Sequence, residues 1–124
     1  MSLILGVAGG GALGALSRYG IDTFVERRSE AVFPWATFLI NVSGCLAVGF
    51  IIAALVDRHQ APQWLRTALV MGFCGGYTTF STFAQETLSL IEEGDSRIAL
   101  ATILANVIFG IVAVYLGARL GHLV

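Results

Sequence analysis

Lysine is absent from this 124-residue chain, and charge of any kind is scarce: Asp, Glu, Lys and Arg together make up 12% of residues, about half the ~25% usual in soluble domains. The seven basic residues are all arginine, they are scattered, and the net charge is −1, so no groove for nucleic acid and no polybasic lipid patch can be assembled. Cysteine is reduced to Cys45 and Cys74; both sit in apolar stretches without metal-ligand spacing and read as small hydrophobes. No P-loop, no H-E-x-x-H and no nucleophile triad is present, and without a catalytic constellation at any one depth the chain is not read as an enzyme. What remains is apolar. Hydrophobic residues reach 56%, and a single domain of this size has too much surface to hide them from water. The composition is that of an integral membrane protein.

A bilayer core about 30 Å thick takes roughly 20 helical residues. The charge-free stretches are Ser2 to Ser17, Ala31 to Val56, Thr67 to Gln85 and Ile98 to Ala118. Extended by flanking residues, they predict one all-α domain of four transmembrane helices, about 2–24, 33–56, 62–91 and 97–120, with short connections. The amino terminus lacks a basic n-region and is not read as a cleavable signal. Pro34 and Pro62 open the second and third spans, where a missing N–H costs little, and Trp35 and Trp64 beside them are placed as interfacial anchors. His59 and His122, near helix ends, read as interfacial polar residues.

Four spans put both termini on one side, with Arg58, Arg66 and Arg119. Arg27, Arg28 and Arg97 fall on the other. Orientation follows an imbalance of arginine and lysine, and three against three gives none. A small chain without bias can insert both ways up, and its natural assembly is then an antiparallel dual-topology homodimer with its two-fold axis in the membrane plane. The alternative is a single orientation set by the amino-terminal charge or by a partner.

Gly6, Gly10 and Gly14 are spaced four apart in the first helix, as are Gly117 and Gly121 in the last; both read as packing faces, since helices in lipid associate through close contact. Gly9 to Gly14 also matches G-x-G-x-x-G, but without a preceding strand the dinucleotide reading fails.

The third span carries Gly75-Gly76-Tyr77-Thr78-Thr79-Phe80-Ser81-Thr82-Phe83. Two glycines followed by hydroxyl residues weaken a helix and compete for its hydrogen bonds, so a break is expected there; a kink healed by its own threonines remains the other reading. Freed carbonyls at a break suit a cation, and freed N–H groups an anion. Phe80 and Phe83 share a face, with Ser81 and Thr82 beside them. Ring edges are electropositive, so such a face either packs or stabilises a small anion without fixed positive charge. Asn41 and Asn106 lie mid-span in the second and fourth helices, each with two N–H donors, as helix glue or as part of a hydrophilic path. Glu86, a turn beyond Phe83, pairs with an arginine, faces water or carries a proton. Arg18 and Asp22, at i and i+4, suggest a local ion pair.

The run Gly72-Phe73-Cys74-Gly75-Gly76-Tyr77-Thr78-Thr79-Phe80-Ser81-Thr82-Phe83 resembles the signature of the Fluc family of fluoride channels, the CrcB proteins. The segments Gly10 to Tyr19 and Thr37 to Asn41 resemble that family too, in the same order and over the whole length. The resemblance implies passive export of cytoplasmic fluoride across the inner membrane, giving fluoride resistance, by a dual-topology dimer with two antiparallel pores. Carried over by motif position, Phe80 and Phe83 would meet the ion through their ring edges and Asn41 would donate its amide N–H. Ser81 and Thr82 would form a polar track ending near Glu86, and Arg18 would help shape a vestibule. Gly75 and Thr78 would offer backbone carbonyls to a central structural sodium ion, four from two subunits. Ala84 stands where many members carry serine, removing one hydroxyl. Asn106 is assigned to the pore by its donors alone. The rival of another class is a proton-coupled exporter of the small multidrug resistance type; those depend on a glutamate deep in the first helix, which is absent here, so that Glu86 would have to substitute. A third reading, a scaffold without transport, requires that Phe80 and Phe83 be dispensable.

Overall fold

The computed structural model describes residues 2–58 and 60–124; His59, with its interfacial role, lies outside them. Every regular element among the described residues is helical. Helix α1 spans Leu3–Glu26. Helix α2 spans Trp35–Ile51 and continues as a π-helix over Ile52–Arg58. Helix α3 comprises Gln63–Thr67, a π-helical stretch Ala68–Cys74 and a last turn Gly75–Tyr77. Helix α4 spans Phe80–Glu92 and α5 spans Ser96–Gly121. The two π stretches carry no sequence mark that distinguishes them from α-helix.

Chain neighbours are not the closest partners. Helix α1 lies along α3 and α2 lies along α5, each pair parallel, because that is where the glycines meet. A Cβ on Gly14 would stand 2.8 Å from the Tyr77 backbone nitrogen and closer still to the Phe73 carbonyl oxygen. On the other seam a Cβ at Gly117 would reach 2.9 Å from the Phe50 nitrogen, with the Leu46 carbonyl nearer. Both faces expected to be packing faces bring backbone against backbone. The α4–α5 turn closes on Gly94 at φ +89°. Gly94 N–H donates to the Ile91 carbonyl (3.1 Å) and Asp95 N–H to the Leu90 carbonyl (2.8 Å), the paired bonds that end a helix on a left-handed residue.

Among the described residues, two helices, Trp35–Asp57 and Ser96–Gly121, are long and apolar enough to cross a bilayer, with 28% and 22% of their apolar windows buried. A soluble core helix would be mostly buried. Here Leu, Ile, Val and Phe side chains cover the outside, from Ile4 at 78% exposed to Ile111 at 67%, which only lipid or another chain can accept.

Candidate functional site

The third span leaves the helix at Thr78 and Thr79, whose backbones are extended (φ −76°, ψ 161° and φ −148°, ψ 116°). Thr78 N–H still reaches the Cys74 carbonyl (3.0 Å), and its hydroxyl donates to the same oxygen (2.9 Å). Thr79 restarts the chain as the cap of α4, accepting at Oγ1 from Thr82 N–H (3.2 Å). Between these two points the backbone has lost its ladder, and α2 replaces it. Asn41 accepts from Thr79 N–H at Oδ1 (2.9 Å) and donates from Nδ2 to the Thr79 carbonyl (3.1 Å), so one primary amide satisfies both backbone groups of a single residue, which belong to successive peptide units. Its second Nδ2 hydrogen goes to Asn106 Oδ1 (3.1 Å), and Asn106 Nδ2 donates to the Thr102 carbonyl (2.9 Å). Asn41 thus has both donors engaged within the chain, whereas one amide hydrogen of Asn106 is left over.

Arg18 does not pair with Asp22: its Nη1 points to the Thr78 carbonyl at 3.5 Å. The local ion pair suggested by their spacing gives way because the break offers a carbonyl that the helix no longer uses. Tyr77 is tied to α2, its hydroxyl 2.8 Å from Ser43 Oγ. Ser43 already donates to the Leu39 carbonyl (2.7 Å), so Tyr77 is the donor of that pair.

The break separates two cavities. On one side a cleft of about 430 Å³ is lined by Asn41, Gly75, Thr78, Phe80, Phe83 and Asn106. Phe80 is 79% exposed and stands 5.6 Å from Phe83 between centroids, the rings tilted by 51°. Opposite lies a polar cavity of about 270 Å³ that includes Arg18, Asp22, Thr37, Thr79 and Thr82. Glu86 lines a third, of about 180 Å³, nearer the α2 entry, and Ser81 is exposed on α4 and lines none of the three. Sequence reasoning overlooked Thr79, the residue on which the break turns, and Thr37 and Thr102, both buried one helical turn before Asn41 and Asn106. Their i, i+4 spacing from the two asparagines was the available signal.

The donor set for a cation can be tested on the same geometry. Thr79 N–H would have closed the helix on the Gly75 carbonyl; pairing with Asn41 leaves that oxygen without its helical partner on the cleft wall. The Thr78 carbonyl keeps one lone pair beyond the long contact from Arg18. Two neutral, hard oxygens fit the chemistry of a hard cation such as sodium but fall short of a full shell.

Residues 5–118 match the family model described as CrcB-like protein, Camphor Resistance (CrcB). Proteins named fluoride-specific ion channel FluC are similar over nearly the full length. The one from Solibacter usitatus is 46% identical over 116 residues, covering 94% of this chain and 95% of that protein. The one from Dehalococcoides mccartyi is 41% identical over 123 residues, covering 99% and 95%. The one from Chloroflexus aurantiacus is 39% identical over 122 residues, covering 98% and 97%.

Proposed function

The chain belongs to the CrcB family, and from that premise we propose that it is a passive, fluoride-selective channel that lets cytoplasmic fluoride leave across the inner membrane. The observation that carries the reading is the helix break: it gathers Phe80, Phe83, Asn41 and Asn106 on one cleft, with no basic side chain among the cleft's lining residues. Fluoride is small and tightly hydrated, so a pore must replace its water with a dense set of weak donors. Electropositive ring edges and the spare Asn106 amide hydrogen do that without a cation that would trap the ion. Asn41, its donors engaged, acts by fixing the break or by exchanging one bond as the ion passes.

The proposed working unit is an antiparallel homodimer in the bilayer. Phe80 supports it, since a ring this exposed beside a membrane-depth cleft is completed by another chain, and so does the half-shell of Gly75 and Thr78, which a second copy would double to four carbonyls for a structural sodium ion. Arg18 and Thr82, on the far side of the break, would serve an aqueous vestibule, with Ser81 and Glu86 toward its mouth. Bound sodium would supply fixed positive charge at the dimer axis; the chain's own part is to hold those carbonyls off the helix.

The test is efflux from liposomes loaded with fluoride or chloride, under a potassium gradient with ionophore and no proton gradient. Rapid loss of fluoride alone is expected, and Phe80→Ile or Phe83→Ile should reduce it at least 100-fold (roughly the effect of removing an interaction of about 3 kcal/mol) with the dimer intact. Undiminished flux in both variants would overturn the ring-edge mechanism, and no flux from folded dimer would overturn the channel.

A further inference from the structure

Away from the break, a groove of about 450 Å³ runs between the end of α2 and the start of α3. Its lining changes character along the chain away from the α2–α3 connection. Gln63, Arg66 and Thr67 lie at the outer end, next to the α2–α3 connection and to Trp64; Ile52 and Met71 lie deeper, one on each helix. Both walls include π-helical backbone, Ile52–Arg58 and Ala68–Cys74, in which five rather than four residues separate bonded groups, so side chains leave the usual ridges of close helix packing. At the polar end, Arg66 Nε is buried and has no hydrogen-bond partner. No carboxylate pairs with this guanidinium among the described residues, although a buried donor on a charged group ordinarily finds an acceptor.

We infer that this groove holds an anionic phospholipid, the phosphodiester accepting from Arg66 and an acyl chain lying against Ile52 and Met71. Charge complementarity selects the anionic headgroup, since the unpaired cation sits at the polar end of the groove. The polar-to-apolar order along the groove selects a lipid over a free anion, whose binding would leave the deeper half without an occupant. Trp64, 37% exposed and two residues before Arg66 in the chain, is a residue type that favours the interface at which a headgroup lies.

The experiment is native mass spectrometry of the purified full-length dimer with equal amounts of phosphatidylglycerol and phosphatidylcholine carrying the same acyl chains. The wild type should retain the anionic lipid about 5-fold better, the order expected for one basic residue at the membrane surface. Arg66→Gln should bring the two lipids level, and Arg66→Lys should keep part of the preference. Met71→Trp, which fills the apolar end and leaves the arginine in place, should weaken both lipids alike. A large excess of inorganic phosphate should not displace the lipid. An unchanged preference in Arg66→Gln, displacement by phosphate alone, full retention in Met71→Trp, or a dimer that carries no lipid because the second copy covers the groove would each overturn the inference.

Discussion

The third span is held in two different ways along its length. Up to Tyr77 it lies against α1 through backbone contact, where Gly14 and Gly10 leave no room for a side chain, and the Tyr77 hydroxyl bond to Ser43 at its end adds a single polar tie to α2. From Thr78 onward it is held by the Arg18 guanidinium from α1 and the Asn41 amide from α2. The first half is a matter of shape and tolerates lipid around it. The second must satisfy peptide groups that lipid cannot, and it does so at single atoms, so the two halves should respond differently to substitution.

The largest effect on stability is expected at Asn41. Asn41→Leu leaves the Thr79 N–H and carbonyl, in a residue only 6% exposed, without partners; two such groups cost about 2–6 kcal/mol. Thermal unfolding of the purified protein should drop accordingly and fluoride flux should vanish with it. Asn41→Asp separates the two bonds, because a carboxylate can still accept from Thr79 N–H but cannot donate to its carbonyl. It should fall between wild type and leucine. If leucine and wild type melt together, the break is held by something other than this amide.

The two halves were not equally legible in the sequence. Glycine spacing names the faces of α1 and α5 because a close-contact seam is a local pattern, repeated every turn. The break was legible as a region, since Gly75-Gly76 and the hydroxyls after it weaken a helix wherever they occur. Its position was not: which peptide leaves the ladder depends on where Asn41, 38 residues earlier, meets the third span. The same distance hides Arg18, whose i+4 neighbour Asp22 is the obvious partner until the Thr78 carbonyl comes free 60 residues away. The π stretches escaped because their residues do not specify π over α geometry: Ile52 to Arg58 is ordinary helix sequence, and the one poor helix former in Ala68 to Cys74, Gly72, marks close packing against α1 as readily. Ser81 and Glu86 follow from motif position, but only the folded chain assigns Glu86 and Thr82 to separate cavities.

A smaller effect is expected in the glycine-packed half. Gly14→Ala forces its methyl against the Phe73 carbonyl and Tyr77 nitrogen, backbone atoms that cannot swing aside, and overpacking of this kind costs about 1–3 kcal/mol. The loss should appear in thermal unfolding, while fluoride selectivity over chloride in the surviving channels stays as in wild type. A change in selectivity would mean that the seam and the break are one device.

The smallest effect is expected at Gly9, and it carries the sharpest contrast. Gly9 belongs to the same glycine-rich run as Gly14, yet it faces away from α3, and a Cβ there meets nothing within 4 Å. Gly9→Ala therefore removes backbone freedom without creating a clash, and helix propensity favours alanine by at most about 1 kcal/mol. Unfolding should shift slightly upward or not at all, with flux unchanged. If Gly9→Ala is as damaging as Gly14→Ala, the glycines of α1 serve more than the contact with α3. The exposed side of that helix must then press against a second copy closely enough that one methyl group is too many.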